Sequence, residues 1–256
     1  MNLKGKTVLI TGGRRVGGEL ALQLAERGAC VAMTYHTSRE AIEATISRVV
    51  QRGGQGFAVQ ADLSKGDQAE NAVARIFERF ERLDVLVNMA SVYKRTPFAT
   101  LQPGDFDAMI AANLAAPYHS AVASAKRMLL GAADPESGLK GKIVNICDWA
   151  VDRPYKDYLP YLVAKGGLVT MTLTLAKELA PHVTVNAVLP AMIDPPAGLS
   201  DSAKKAVIDA TPLGRSGTPS DVNNLILYLL EGTDYATGGL FRVDGGRFLG
   251  TDSDAE

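Results

Sequence analysis

Apolar and polar positions follow two periods along this chain, and the two periods predict its elements. Short apolar runs, several rich in β-branched residues, occur at 7–10, 30–34, 56–60, 84–88, 141–146, 183–188 and 240–243. Runs of that length read as strands buried on both faces. Between them, apolar residues recur at three- and four-residue spacing. That spacing predicts helices at 19–27, at 38 to about 52, at 67–82 and at about 103–130. Further helices are predicted from the region of Tyr161 to about 180, at 201–209, and from a cap at Ser220 to 230. Strands alternating with helices imply βαβ units, a parallel sheet and right-handed crossovers. No linker or repeat breaks the pattern, so residues 1–250 read as one domain, followed by a polar tail at 251–256. The long connection at about 191–218, with Pro195 and Pro196, reads as a lid over a binding site.

Composition narrows the class. The 256 residues are 46% hydrophobic, enough for a sizeable α/β core. The formal net charge of −1 suggests no nucleic acid or other polyanion as partner. No uninterrupted apolar run reaches the ~18 residues that span a bilayer, and the first residues lack a signal-peptide pattern. Cys30 and Cys147 sit in apolar runs and read as reduced core thiols, so the expectation is a cytoplasmic protein with no membrane partner. His36, His119 and His182 are scattered, and no metal site is expected.

Two stretches carry candidate chemistry. Tyr161 and Lys165 are four residues apart where a helix begins, so the phenol and the ammonium share one face. A neighbouring cation favours phenolate, which predicts that Lys165 lowers the Tyr161 pKa and makes it a general acid/base near neutrality. The pair by itself is also compatible with an ordinary surface Tyr and Lys. The second stretch follows the first strand: Thr11, Gly12, Gly13, Arg14, Arg15, Val16, Gly17 and Gly18. Glycines between a strand and a helix let backbone approach a pyrophosphate. The second strand runs into Tyr35, His36, Thr37, Ser38 and Arg39, with no carboxylate to take a ribose 2′-hydroxyl. Arg14, Arg15 and Arg39, with Ser38 as a neutral donor, are candidates for a 2′-phosphate clamp, which predicts NADPH over NADH. The same arginines would also suit a plain solvated face.

Taken together, these residues resemble the short-chain dehydrogenase/reductase family over nearly the whole chain. The matching marks are Thr11-Gly12 with Gly17, Asp62-Leu63, Asn88 to Ser91, Asn113, Tyr161 with Lys165, Asn186 with Pro190, and Val243 to Gly246. Asp148 stands where the family usually has Ser, Met89 replaces the second Asn of its turn, and arginine occupies the glycine turn. These departures, with 144–165 and 178–188, look like the pteridine reductase-like subgroup.

The resemblance implies a single Rossmann-type doubly wound domain, with a seven-stranded parallel sheet in the order 3-2-1-4-5-6-7 and helices on both faces. It implies NADPH across the strand ends, with adenine near Asp62 and Leu63 and the nicotinamide beside Tyr161. Lys165 would hold the ribose. Asn113 would kink its helix and hold a water. Asn88, Met89, Ala90, Ser91 and Ile146 would line the cofactor, and Pro190, Met192 and Ile193 would close over it. Asp148, protonated by burial, would serve a ring nitrogen, or would only cap a turn while Tyr161 acts alone. Tyr93 would stack on a pterin or be a surface Tyr. Trp149 would line the pocket or pack in the core, and Lys94 and Arg95 would meet an acidic tail or solvent. The implied activity is hydride transfer from NADPH to a pterin or similar cyclic C=N or C=O. The alternative is a carbonyl reductase for a 3-oxoacyl thioester, sugar or other ketone, and more remotely a non-catalytic NADP-binding protein. Small-molecule substrate and self-association as a homotetramer or dimer complete the expectation.

Overall fold

The computed structural model describes residues 1–195 and 198–250. Pro196, Ala197 and the tail at 251–256 lie outside the described residues. Seven parallel strands form one sheet in the order β3-β2-β1-β4-β5-β6-β7. They are β1 (Thr7–Thr11), β2 (Cys30–Tyr35), β3 (Gln55–Gln60), β4 (Val85–Asn88), β5 (Gly141–Ile146), β6 (Val183–Pro190) and β7 (Leu240–Val243). The helices are α1 (Val16–Glu26), α2 (Arg39–Gln51), α3 (Gly66–Phe80), α4 (Pro103–Ile110), α5 (Ala116–Leu130), α6 (Leu159–Leu179), α7 (Asp201–Asp209) and α8 (Pro219–Leu227).

The sheet divides the core by the two-residue period of its strands. Val8 and Ile10 point to a layer shared with Leu20, Leu24, Ile42, Val222 and Ile226, from α1, α2 and α8. Leu9, between them, points to the opposite layer, with Val73, Ile76, Ala121 and Ala176 from α3, α5 and α6. Helices thus cover both faces. The chain moves outward from β1 through β2 to β3, then returns to β4 on the other side of β1. That reversal opens a crevice beyond the carboxyl ends of β1 and β4, where a doubly wound sheet binds ligands.

Three local differences from the sequence expectation bear on the site. Helix α1 begins at Val16, three residues earlier than the apolar spacing suggests, because Gly17 and Gly18 are buried in its first turn against Met89 and Thr45. The predicted helix at 103–130 is interrupted by a π-helical turn, Ala111–Ala115, between α4 and α5. Helix α8 is capped by Thr218 rather than Ser220: the Thr218 hydroxyl accepts from the Asp221 N–H, and the Asp221 carboxylate accepts from the Thr218 N–H. It ends at Leu227 in a further π turn, Tyr228–Gly232.

Helix α6 is long and apolar enough, by length and composition, to cross a membrane. Its packing is that of a core helix, with Tyr161, Ala164, Lys165, Leu168, Thr172 and Ala176 buried.

Candidate active site

The carboxyl end of β5 and the start of α6 bring the central residues together. Past Ile146 the chain turns at Asp148, whose carboxylate accepts the Ala150 N–H at 2.9 Å and so caps a short turn at Trp149–Val151. Its other oxygen, Oδ2, accepts the Tyr161 hydroxyl at 2.7 Å. Asp148 therefore caps a turn and holds the phenol at once. One turn further along α6, the Lys165 ammonium donates to the Ile146 carbonyl at 2.8 Å. Its Nζ lies 5.8 Å from the Tyr161 ring centre.

The electrostatics of this group reverse one expectation. The Tyr161 phenol is pushed well above its ordinary pKa, first by burial and then by the Asp148 carboxylate beside it. The predicted depression by Lys165 does not occur. That ammonium is buried, its own pKa is lowered by burial, and its hydrogen bond goes to the Ile146 carbonyl. Burial also raises Asp148, against the opposing pull of the Ala150 N–H, the Tyr161 hydroxyl and the Lys165 charge. Both acids are thus held toward their protonated forms. Cys147, between Ile146 and Asp148, is pushed up to about 12 by burial and is an inert thiol.

Asn113 lies fully buried in the π turn. The helix expected to kink at Asn113 carries its π turn there. Its side-chain oxygen accepts from the Ser91 hydroxyl at 2.7 Å and the Val92 N–H at 3.1 Å. Its amide donates to the Val92 carbonyl at 3.0 Å. The side chain is therefore committed to the loop after β4, and any water beside Asn113 must use its backbone.

The residues expected around a dinucleotide converge on the crevice, in different roles. The Thr11 hydroxyl accepts from the Met89 and Ala90 N–H groups at 3.1 and 3.2 Å, tying the end of β1 to the end of β4. Gly12 and Gly13 have φ of 60° and 78°. A β-carbon at Gly12 would stand 3.0 Å from Ala90 Cβ, and one at Gly13 would stand 2.7 Å from Met89 Sδ. Met89 is buried beneath the turn and supports it. No side chain caps the N-terminus of α1, and although the Gly18 N–H donates to the Gly13 carbonyl at 2.9 Å, the N–H groups of Val16 and Gly17 at its start suit an anion. Arg14 and Arg15 are exposed on this turn, and Arg15 donates to the Asp194 carbonyl at 3.1 Å, joining the turn to the 191–218 connection.

At the end of β2, His36 and Thr37 are exposed and Ser38 is half-buried at the start of α2. Tyr35, by contrast, is buried in the core. Arg39 pairs with Glu43 at 2.9 Å along α2, so one member of the expected clamp has an internal partner. The Asp62 carboxylate accepts the Ser64 hydroxyl and N–H, which lower its pKa, while Leu63 is buried. Asn88 Nδ2 donates to Asn145 Oδ1 at 2.9 Å inside the sheet. Met192 and Ile193, beyond Pro190, are half-buried, and Ile193 bridges to Gly217. An open glycine turn, uncapped helix N–H groups and two exposed arginines fit a phosphorylated dinucleotide.

Three tyrosines and a tryptophan cluster around the phenol. Tyr93 stacks on Tyr158 at 4.5 Å and meets Tyr161 edge-on at 5.0 Å. Tyr155 meets Tyr158 edge-on at 5.1 Å, and Trp149 stands 6.2 Å from Tyr155. Tyr93 and Trp149 are among the residues expected at the pocket, whereas Tyr155 and Tyr158 are not, although they lie six and three residues before Tyr161, at the spacing of one helix face. Lys94 and Arg95 are largely solvent-exposed, as plain surface charges would be, and each also has a carboxylate partner. Lys94 pairs with Asp105 at 2.8 Å, and Arg95 with Asp157.

Known proteins resemble the chain over nearly its whole length. A family model described as Enoyl-(Acyl carrier protein) reductase matches residues 13–247. The chain is 31% identical over 249 residues to a 3-oxoacyl-[acyl-carrier-protein] reductase of Staphylococcus epidermidis, covering 95% of this chain and 99% of that protein. It is 34% identical over 251 residues to a 3-oxoacyl-[acyl-carrier-protein] reductase of Synechocystis, covering 96% and 98%. Among solved structures, a dehydrogenase/reductase from Sinorhizobium meliloti superposes with a TM-score of 0.85 at 32% identity, covering 96% of each chain. A short-chain dehydrogenase/reductase from Serratia marcescens superposes at 0.86 and 29% identity, covering 97% of this chain and 100% of that one.

Proposed function

The chain belongs to the short-chain dehydrogenase/reductase family and is an NAD(P)-dependent oxidoreductase, and from that premise we propose that it is an NADPH-dependent reductase of planar cyclic C=N or C=O compounds, pterins or similar rings. The observation that carries the ring preference is the 2.7 Å hydrogen bond from Tyr161 to Asp148, at the position where the family usually has Ser. A carboxyl group held toward its protonated form, beside a phenol held the same way, can supply a proton to a ring nitrogen. The aromatic walls from Tyr93, Tyr155, Tyr158 and Trp149 suit a flat heterocycle.

When bound, the dinucleotide supplies the hydride. The chain's own residues do the rest. Gly12, Gly13 and the first N–H groups of α1 receive phosphate, with Arg14 and Arg15 beside them for a 2′-phosphate. Lys165, fixed on the Ile146 carbonyl, holds the cofactor ribose. With the hydride going to carbon, Asp148 would give its proton to a ring nitrogen, or Tyr161 its proton to a carbonyl oxygen, and the donor would regain a proton from solvent after the transfer. The apolar wall excludes water from the transfer.

A second reading is a 3-oxoacyl thioester reductase, in which Tyr161 alone protonates a ketone oxygen and Asp148 serves the turn. The names of the Staphylococcus and Synechocystis relatives, 3-oxoacyl-[acyl-carrier-protein] reductases, support this reading better than the pterin one. The test offers NADPH and NADH with dihydrobiopterin, dihydrofolate and acetoacetyl thioester, and follows loss of the reduced cofactor. Fast NADPH-specific turnover of a pterin supports the first reading. Turnover of the thioester alone replaces it with the second.

Self-association is part of the proposal: Phe106, Tyr118, Leu159, Val163 and Leu173, on α4, α5 and α6, are large apolar side chains about half exposed. So is a cytoplasmic setting, which suits two free thiols in Cys30 and Cys147.

A further inference from the structure

Access to the Tyr161 phenol is closed by a loop held at both ends. Tyr161 is only 4% exposed, whereas Tyr93, stacked across Tyr158 and edge-on to Tyr161, is 56% exposed and forms the outer leaf. The stacked centroids are 4.5 Å apart. A flat ring placed between them needs about 7 Å, twice the ~3.5 Å carbon contact distance. One leaf must therefore move before a planar substrate meets Tyr158.

The two leaves differ in how they are tethered. Tyr158 belongs to the stretch 149–158, which is fixed to the C-terminal segment. Arg153 donates to the carbonyls of Arg247 and Phe248, and Asp152 accepts from Arg242. Tyr93 sits at the crown of the loop 91–96. Its first root is the set of bonds from Ser91 and Val92 to Asn113. Its second root is Asp157, whose carbonyl accepts the Thr96 N–H at 2.6 Å and whose carboxylate accepts Arg95 at 2.5 and 3.0 Å. Asp157 has φ of 70°, a left-handed conformation that Asp and Asn adopt more readily than other residues with a side chain. It carries both bonds at the contact of the two loops.

We propose that Tyr93 is a gate over Tyr161 and that the Arg95–Asp157 bridge is the latch that sets how often it opens. Arg95 and Asp157 are positioning residues that act through Tyr93. A substrate that binds only the open state has its apparent affinity reduced by the closed fraction. Loosening the latch then lowers KM for every substrate by one factor and leaves the chemical step alone. The proposal rests on the reading of Tyr161 as the proton donor only for its kinetic consequence.

The test uses Arg95→Ala and Asp157→Asn. Asn keeps a residue type that tolerates positive φ but loses the charge. The first readout is acetylation of Tyr161 by N-acetylimidazole, mapped by peptide mass spectrometry, and it needs no turnover. Both variants are expected to speed Tyr161 labelling about two- to fivefold, the factor that one exposed ion pair can hold. KM for dihydrobiopterin and for acetoacetyl thioester, whichever is turned over, should fall by the same factor at unchanged kcat. The double variant should add nothing to either single one. Unchanged Tyr161 labelling in both variants overturns the gate, as does a fall in kcat at constant KM. A protein that reduces neither compound but still shows the labelling change overturns both substrate readings and leaves the gate standing.

Discussion

Tyr161 donates its hydroxyl to Asp148 Oδ2 across 2.7 Å, joining two residues thirteen positions apart on different elements. The bond raises the cost of ionising the phenol and gives Asp148 a donor that its burial requires.

Removing either end of that bond separates the two readings of the site. Tyr161→Phe is expected to lower kcat by roughly 10²–10⁴, the usual worth of a positioned acid, with NADPH affinity nearly unchanged. Asp148→Ser is expected to abolish pterin reduction while sparing a 3-oxoacyl substrate. Equal loss on both substrates would show that Asp148 matters chiefly as the cap of its turn.

Asp148 also predicts two pH effects. Its pKa is raised in the folded chain, so kcat/KM for reduction should decline as pH rises through that raised value, and Asp148→Asn should lack the decline. The stability effect has the same sign. The folded state binds this proton more tightly, so Asp148 lowers stability as pH rises from the unfolded value of ~3.9 through the folded one. Asp148→Asn should therefore melt higher than the parent above that window and match it below, as thermal unfolding at several pH values would record.

Asp134 behaves in the opposite way. Burial pushes its pKa up, but the Ser137 backbone and hydroxyl and the Lys6 ammonium at 3.0 Å outweigh burial and hold it well below the usual carboxylate range. Its stabilisation is present above ~3.9 and lost as pH falls toward the folded value. Asp134→Asn should cost about 1–3 kcal/mol at neutral pH, because it leaves buried donors without a carboxylate. Denaturant midpoints that differ equally at pH 7 and in strong acid would disprove this origin.

The proposed preference for NADPH rests on Arg14 and Arg15, since Arg39 is engaged by Glu43. Arg14→Ala with Arg15→Ala should lower kcat/KM with NADPH by about tenfold or more, a loss of roughly 1.4 kcal/mol, and barely change it with NADH. Arg39→Ala should have the smaller effect. A parent enzyme that uses both cofactors equally would remove the basis of the assignment.

Asn113→Ala should strand the Val92 N–H and the Ser91 hydroxyl and cost about 1–3 kcal/mol. It should also increase exchange of the Val92 amide with solvent, measurable by hydrogen exchange, because that amide loses its acceptor. An unchanged Val92 protection factor would argue that the loop is held by Asp157 alone.

The alternation of strands and helices, the parallel sheet, the glycine turn and the Tyr161–Lys165 pair are legible in the amino-acid order, because they depend on local periodicity or on spacing within one element. Asn113 and Asp148 stand out only through the resemblance to the family. What tertiary structure decided were the pairings between elements distant in sequence. Arg39, Lys94 and Arg95 read alike as free cations, and only the fold hands them Glu43, Asp105 and Asp157. The start of α1 at Val16 depends on Met89 and Thr45 packing onto glycines with weak helix propensity of their own. The Tyr161 pKa moves up because burial and the nearby carboxylate outweigh a lysine whose hydrogen bond goes to a backbone carbonyl. Spacing in sequence says which groups can meet, but the sign of a pKa shift depends on solvent exclusion and distance, which exist only once the sheet and α6 have packed.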